Sequence, residues 1–417
     1  MTLPAGRETP LGAADLTPMG TARTTRIRGR TRRFLWATLI GMTLLAASCR
    51  RDDPDTTPTE PTQDAATEPT DTSTPPPQPT ETTAPAPLPT DAGTPAAETG
   101  GAATAPDVDP DTEPVILDLG NVKPAVEPVG TLVDGAVDTP DGRRRTYHLY
   151  VPSDSGDGPM PLLIALHGGL GSGTQFREDS GFADLAEANR FLVVFPDAVP
   201  IAEGRDNRVW NGGGCCGVAA RDRQNVDDVG FISAVIDEIE AIHPVDPSRV
   251  YAAGHSNGGI MAYRLACELS DRIVAVAFQS GTLEIGNCPM VQPVSLMSLH
   301  GLADTNIPID GGRGSGVANY AFASPRESVE TVARLDGCTG RVDMVDPTNP
   351  DVSGTRWTGC DGDTTVEMIL VEGANHAWMG HRGSRFTRAL IGEPYPDLDA
   401  SVAIWSFLSR RTRPTGS

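Results

Sequence analysis

The sequence predicts an α/β domain over residues 129–412, a mostly parallel sheet with helices on both faces, preceded by a disordered linker. Three observations predict it. Short continuous apolar runs, such as "PLLIALHGG" (161–169) and "FLVVFPDA" (191–198), read as strands buried on both faces. Stretches of helical spacing alternate with them, the pattern of a sheet covered on both sides. Upstream, from Asp52 to Val122, there is no Lys, Arg, Phe, Tyr or Trp, and Thr, Pro, Ala, Asp and Glu dominate. Such a segment cannot bury enough apolar surface to offset its ordering entropy.

In chain order, residues 1–49 read as an export signal. Arg26, Arg28, Arg30, Arg32 and Arg33 precede the apolar run "FLWATLIGMTLLAA" (34–47). A membrane span needs about 20 residues, so this shorter run fits a signal core. It closes on "LAASC", which resembles a bacterial lipobox and makes Cys49 the lipidation candidate. Ordinary cleavage or an uncleaved anchor are the alternatives. Residues 50–128 follow as a Thr/Pro/Asp/Glu-rich linker. Its prolines and self-repelling carboxylates keep it extended.

Within the domain, "TYHLYVP" (146–152) alternates like a half-buried strand. "GFADLAEANR" (181–190) has helical spacing. "DVGFISAVIDEIEAIH" (228–243) sets Ile232, Val235, Ile236 and Ile239 on one stripe, with Asp228 as its N-cap. "RVYAAG" (249–254) reads as a strand and "NGGIMAYRLACE" (257–268) as a helix. "IVAVAF" (273–278) and "VSLMSLHG" (294–301) are strands. "SPRESVETVARLDG" (324–337) opens with a capping box, Ser324 to Glu327, and closes on Gly337. "TTVEMILVEG" (364–373) is the last strand and "ASVAIWSFLS" (400–409) the last helix.

Charge narrows the function classes. Residues 1–51 carry nine Arg against two acidic residues, while the whole chain has a formal net charge of −22. An acidic domain argues against a nucleic-acid partner, because phosphate binding needs a basic face. Cysteines support export. With Cys49 lipidated, six remain, and six allow fifteen pairings. Proximity favours Cys267 with Cys288 and Cys338 with Cys360, leaving Cys215 and Cys216 as neighbours. No C-x-x-C occurs and no His sits at ligand spacing, so neither metal nor cofactor is expected.

The chemistry sits in "GHSNGG", residues 254–259. Ser256 falls between an apolar strand and a helix with no room for a loop, the context of a nucleophile elbow. Gly254 and Gly258 remove side chains where backbone crosses backbone. A serine hydroxyl is a poor nucleophile until an imidazole takes its proton and a carboxylate orients that imidazole. "LHGLADTNIP" (299–308) offers Asp304 after a strand, and "VEGANHAWMG" (371–380) offers His376; His381 reads as a surface residue. Asn257 and Gly169 are the candidate oxyanion donors. Trp378 and Trp210 are candidate substrate contacts. Asp227 and Asp228 read as a helix cap and its partner, or less simply as substrate contacts. His148, His243 and His255 have no partner in view.

The ordered set "LHGG", "WNGGGCCG", "NVDDVGF", "GHSNGG", "HGLADTNIP" and "NHAW" resembles the polyhydroxybutyrate depolymerase-like esterases, which include feruloyl and acetylxylan esterases. The resemblance covers roughly residues 129–410. It implies an α/β-hydrolase fold, Ser256, Asp304 and His376 as triad, and an exported or envelope-bound serine esterase acting on short hydroxyacid, feruloyl or acetyl esters. Two other readings keep the same residues: a non-catalytic surface lipoprotein holding carbohydrate or polyester, and an exported serine peptidase.

If Cys49 carries the lipid, Cys49→Ser moves the protein from the membrane fraction to the soluble fraction with unchanged specific activity. The linker makes the domain indifferent to its tether: even a flexible coil of its length reaches some 40–50 Å. Retention of Cys49→Ser in membranes would instead identify residues 34–47 as an uncleaved anchor.

Overall fold

The computed structural model describes residues 113–118, 122–202, 206–216, 226–316, 318–381, 383 and 385–413. The export signal, Cys49 and most of the expected linker lie outside them. Paired structure begins before the expected boundary at Val129. β1 (Val115–Ile116) runs parallel to Met344–Val345 at one edge of the sheet, and Leu117 behind it is buried. The short apolar "VIL" in an otherwise acidic stretch is enough to find a strand partner.

β2 (Thr131–Asp138) and β3 (Arg144–Val151) form a hairpin closed by Thr139 and Arg143. β4 (Met160–Leu166) is buried at every residue. Two short helices follow, α1 (Gly173–Ser180) and α2 (Phe182–Asn189). They lead into β5 (Leu192–Pro196) and a small hairpin of β6 (Val199–Pro200) and β7 (Arg208–Val209). Then come α3 (Asp228–Ile242), β8 (Val245–His255), α4 (Asn257–Glu268), β9 (Ala275–Gln279) and β10 (Ser295–Gly301). A second hairpin joins β11 (Gly312–Arg313) to β12 (Ala321–Phe322). The chain ends through α5 (Pro325–Leu335), β13 (Gly340–Val345), β14 (Val352–Thr358), β15 (Val366–Val371), α6 (Arg385–Ile391) and α7 (Ala400–Leu408).

The main sheet has 11 strands in the order β1-β13-β14-β15-β10-β9-β8-β4-β5-β3-β2. From β15 to β5 every neighbour is parallel. Outside that block β13, β14, β3 and β2 pair antiparallel. The parallel centre buries both faces, and alternate residues of one strand serve opposite layers. Leu162, Ile164 and Leu166 join Ile232, Val235, Ile236, Met261 and Val329 from α3, α4 and α5. Leu163 and Ala165 join Phe182, Leu185, Ile404 and Phe407 from α2 and α7. Each such Leu, Ile or Phe contributes about 1.5–3 kcal/mol by leaving water. The sheet is the α/β-hydrolase arrangement that the motifs imply.

The cap of α3 corrects an expectation. Asp227, not Asp228, is the N-cap, and its Oδ1 accepts from the Gly230 N–H at 2.7 Å. Asp228 is wholly buried and accepts from Arg145 Nη2 and the Asn211 N–H, each at 2.7 Å. A buried carboxylate needs a cation, and Arg145 supplies it from β3. α5 is capped by Ser324, whose Oγ accepts from the Glu327 N–H, the half of the expected capping box that forms, and Gly337 stands at φ +66° beyond the end. Three disulfides join Cys215–Cys216, Cys267–Cys288 and Cys338–Cys360, the pairing that proximity favours.

Asp336 closes α5 as a fully buried residue. Burial raises its pKa to about 7, against the opposing hydrogen bond from the Val294 N–H. In an unfolded chain the group ionises near its ordinary value of 3.8. The unfolded state therefore binds fewer protons between those values, and this carboxyl lowers stability increasingly as pH rises from about 4 to about 7. Asp336→Asn should raise Tm at pH 8 and leave it nearly unchanged near pH 4. Paired thermal melts at the two pH values check this, and an equal shift at both contradicts it.

Candidate active site

β8 and α4 are joined by one residue, Ser256, held at φ 55° and ψ −119°. A non-glycine residue pays for that left-handed backbone with strain. The neighbouring glycines make the turn sterically possible. A Cβ at Gly254 would lie 2.3 Å from the Gly258 carbonyl oxygen, and one at Gly258 would lie 2.2 Å from the Leu166 carbonyl oxygen. The turn is tied to the sheet by the Ser256 N–H donating to Gln279 O at 3.0 Å.

The structure brings Ser256, His376 and Asp304 together from 120 and 72 residues apart. Ser256 Oγ lies 2.8 Å from His376 Nε2, and His376 Nδ1 lies 2.7 Å from Asp304 Oδ2. With Nδ1–H donating to the carboxylate, Nε2 is left as the acceptor of the serine proton. Asp304 follows β10, and its Oδ1 accepts from the Asn306 and Ile307 N–H groups at 2.9 and 3.0 Å. Burial alone would raise its pKa. The adjacent His376 ring, its hydrogen bond and the Ile307 N–H outweigh burial and hold the carboxyl below its usual range. Asp304 thus remains an anion while only 4% exposed.

Asn257 opens α4, where backbone N–H groups have no helical acceptor. Gly169 sits beside it: a Cβ there would lie 3.5 Å from Asn257 Cβ. His167 shapes this glycine loop. Its Nδ1–H donates to Gly168 O at 2.8 Å and its Nε2 accepts from the Ala198 N–H at 3.1 Å. Burial pushes that ring down to about 4, so it stays neutral in the tautomer those bonds require.

A cavity of about 300 Å³ opens on Ser256 and His376, with Phe176, Trp378, Leu390 and Ile391 on its walls. Trp378 lines it edge-on to Phe176 and His255, its Nε1–H donating to Ser401 Oγ at 3.1 Å. Trp210 does not line this cavity. It is wholly buried over Phe231, its Nε1–H donating to His167 O at 2.9 Å. An indole whose donor finds a backbone acceptor inside the core has no need of the cleft. His381 is not a free surface residue either: it borders the cavity and lies 3.1 Å from Asp399 Oδ1. His148 also has partners, with Nδ1 2.6 Å from Asp134 Oδ1. His255 has one too, its Nε2 2.8 Å from His376 O.

Two positioning residues escape sequence reasoning. Gln279, buried at the end of β9, donates to Ala377 O at 2.8 Å and accepts from the Met379 N–H at 3.0 Å. Asn375 accepts from the Ala377 N–H and donates to Glu393 O, both at 2.8 Å. Together they clamp the His376 loop. The only signal for Gln279 is a polar residue closing an otherwise apolar strand.

A family model described as "Esterase PHB depolymerase" matches residues 145–310. The chain is similar to feruloyl esterase B of Piromyces equi, 32% identical over 230 residues, which are 54% of this chain and 40% of that protein. It therefore spans less than half the length of that relative. NocK of Nocardia uniformis subsp. tsuyamanensis, named as an esterase, is 31% identical over 57% of this chain and 72% of its own length. Among solved structures, an acetyl xylan esterase from Aspergillus awamori aligns at 15% identity over 62% of this chain and 97% of its own, with a TM-score of 0.46.

The Cys215–Cys216 pair bears on Asn257. Cys216 Sγ lies 3.6 Å from Asn257 Nδ2, and Asn257 Oδ1 accepts from the Trp210 N–H at 2.7 Å. A bond between neighbours removes little loop entropy, so its effect is local. Cys215→Ala/Cys216→Ala should slow fluorophosphonate labelling of Ser256 several-fold and shift Tm by less than about 2 °C. Cys338→Ala/Cys360→Ala opens a far longer loop, worth roughly 3 kcal/mol. It should do the reverse, lowering Tm by roughly 5–10 °C with labelling unchanged. Labelling kinetics and calorimetry on both variants check the contrast.

Proposed function

The chain belongs to the polyhydroxybutyrate depolymerase and feruloyl esterase-like family of esterases, and from that premise we propose that it is a serine carboxylic ester hydrolase working through Ser256, His376 and Asp304. The observation that carries the reading is the hydrogen-bond line Asp304–His376–Ser256, at 2.7 and 2.8 Å, ending on a strained turn at the cavity floor.

Ser256 Oγ attacks the ester carbonyl while His376 Nε2 takes its proton, and Asp304 stabilises the imidazolium that forms. The carbonyl oxygen becomes an anion facing the Asn257 and Gly169 N–H groups, each donor of this kind contributing about 3–4 kcal/mol to the barrier reduction. His376 returns the proton to the leaving alcohol, which departs and leaves an acyl-enzyme. Water repeats the sequence to release the acid and free serine.

The substrate is a short hydroxyacid oligoester or polyester, or a feruloyl or acetyl ester. A cavity of about 300 Å³ with Phe176 and Trp378 on its walls supports a compact acyl or aromatic group. The enzyme acts outside the cytoplasm, tethered through Cys49, as supported by the Arg-rich leader, "LAASC" and three disulfides.

Ser256→Ala should abolish fluorophosphonate labelling and lower ester turnover by a factor on the order of 10⁶. His376→Ala should remove most activity, whereas His381→Ala should retain it. A panel of acetyl, butyryl, 3-hydroxybutyryl and feruloyl esters measures both effects. Labelling of Ser256→Ala at the wild-type rate, or an inactive His381→Ala with an active His376→Ala, overturns the assignment.

A further inference from the structure

We infer that His255, the residue before the nucleophile, is a specificity-determining residue whose Nδ1 accepts a hydrogen bond from a hydroxyl on the acyl chain, close to the scissile carbonyl. The inference rests on the esterase reading of the site and names the class of ester it prefers.

His255 ends β8 and is 8% exposed. Its Nε2 stands 2.8 Å from the His376 carbonyl oxygen. A carbonyl can only accept, so Nε2 carries the proton. Burial first, and the neighbouring His376 ring second, push the imidazole down to about 3, so it is neutral near pH 7. A neutral ring protonated at Nε2 has a bare lone pair at Nδ1. Among the described residues nothing pairs with it.

That lone pair borders the cavity. His255, Gly168 and Ser256 all line it. A Cβ at Gly168 would sit 3.2 Å from His255 Nδ1 and 3.6 Å from Ser256 Cβ. The missing side chain therefore leaves a space flanked by the acceptor and the nucleophile together. An acyl chain bound at Ser256 runs past that space. An acceptor fixed in tautomer and lacking a partner favours a group that can donate, and rejects an ether or a carboxylate of similar shape.

The test uses esters of one alcohol with 2- or 3-hydroxybutyrate, and the matching O-methyl ethers. Wild type should prefer a hydroxy ester over its ether by roughly tenfold in kcat/KM, the equivalent of one neutral hydrogen bond. His255→Phe should bring the ratio to within about twofold of its value in an isolated chemical hydrolysis. Gly168→Ala, which fills the space over Nδ1, should do the same. Ratios within one protein cancel any general loss of activity. If His255→Phe does not fold, Gly168→Ala and the wild-type ratio still decide. A wild type that hydrolyses other esters without preferring hydroxy esters overturns this inference alone, as does a preference surviving in both variants. A wild type that hydrolyses no ester and takes no fluorophosphonate overturns the esterase reading as well.

Discussion

The crossing of β8 and α4 at Ser256 is the constraint on which the site depends. Only glycine fits at Gly254 and Gly258, because backbone from the same turn and from β4 occupies the volume of a side chain. That crossing aims Ser256 Oγ at His376 and puts the first free N–H groups of α4 beside Gly169. The strain at Ser256 is offset by its hydrogen bond to Gln279 and by the buried apolar layers on both sides of the sheet.

Around that turn the protein separates charge from neutrality with little space. Asp304 keeps its charge because it receives two backbone N–H bonds and faces His376. His167, His255 and His300 are all held neutral by burial. These three imidazoles are thus uncharged rings in the layers around the site. His376 is the one aligned between a carboxylate and a hydroxyl.

The sheet centre and the turn at Ser256 were legible because both are written locally, whereas Asp304 and His376 were reached through their order in the chain and the resemblance of their motifs. A buried parallel strand is a continuous apolar run, and a one-residue turn forces its glycines into the sequence. What escaped depends on tertiary partners. β13 and β14 are half-exposed strands with weak alternation. Asp227 and Asp228 are adjacent and chemically alike, and only Arg145, far away in sequence, decides which of them caps α3. Trp210 followed the same logic, since the backbone carbonyl that satisfies it belongs to His167. Gln279 and Asn375 have roles only once the His376 loop lies beside them.

The long sequence intervals between the three meeting side chains have a consequence for the life of the chain. Ser256 and His376 lie 120 residues apart, and the strands they follow, β8 and β15, are separated in the sheet by β9 and β10. Contacts of such separation form late, because loop closure must precede their reward. The arrangement of Ser256, His376 and Asp304 is therefore complete only when the sheet is complete from β8 to β15.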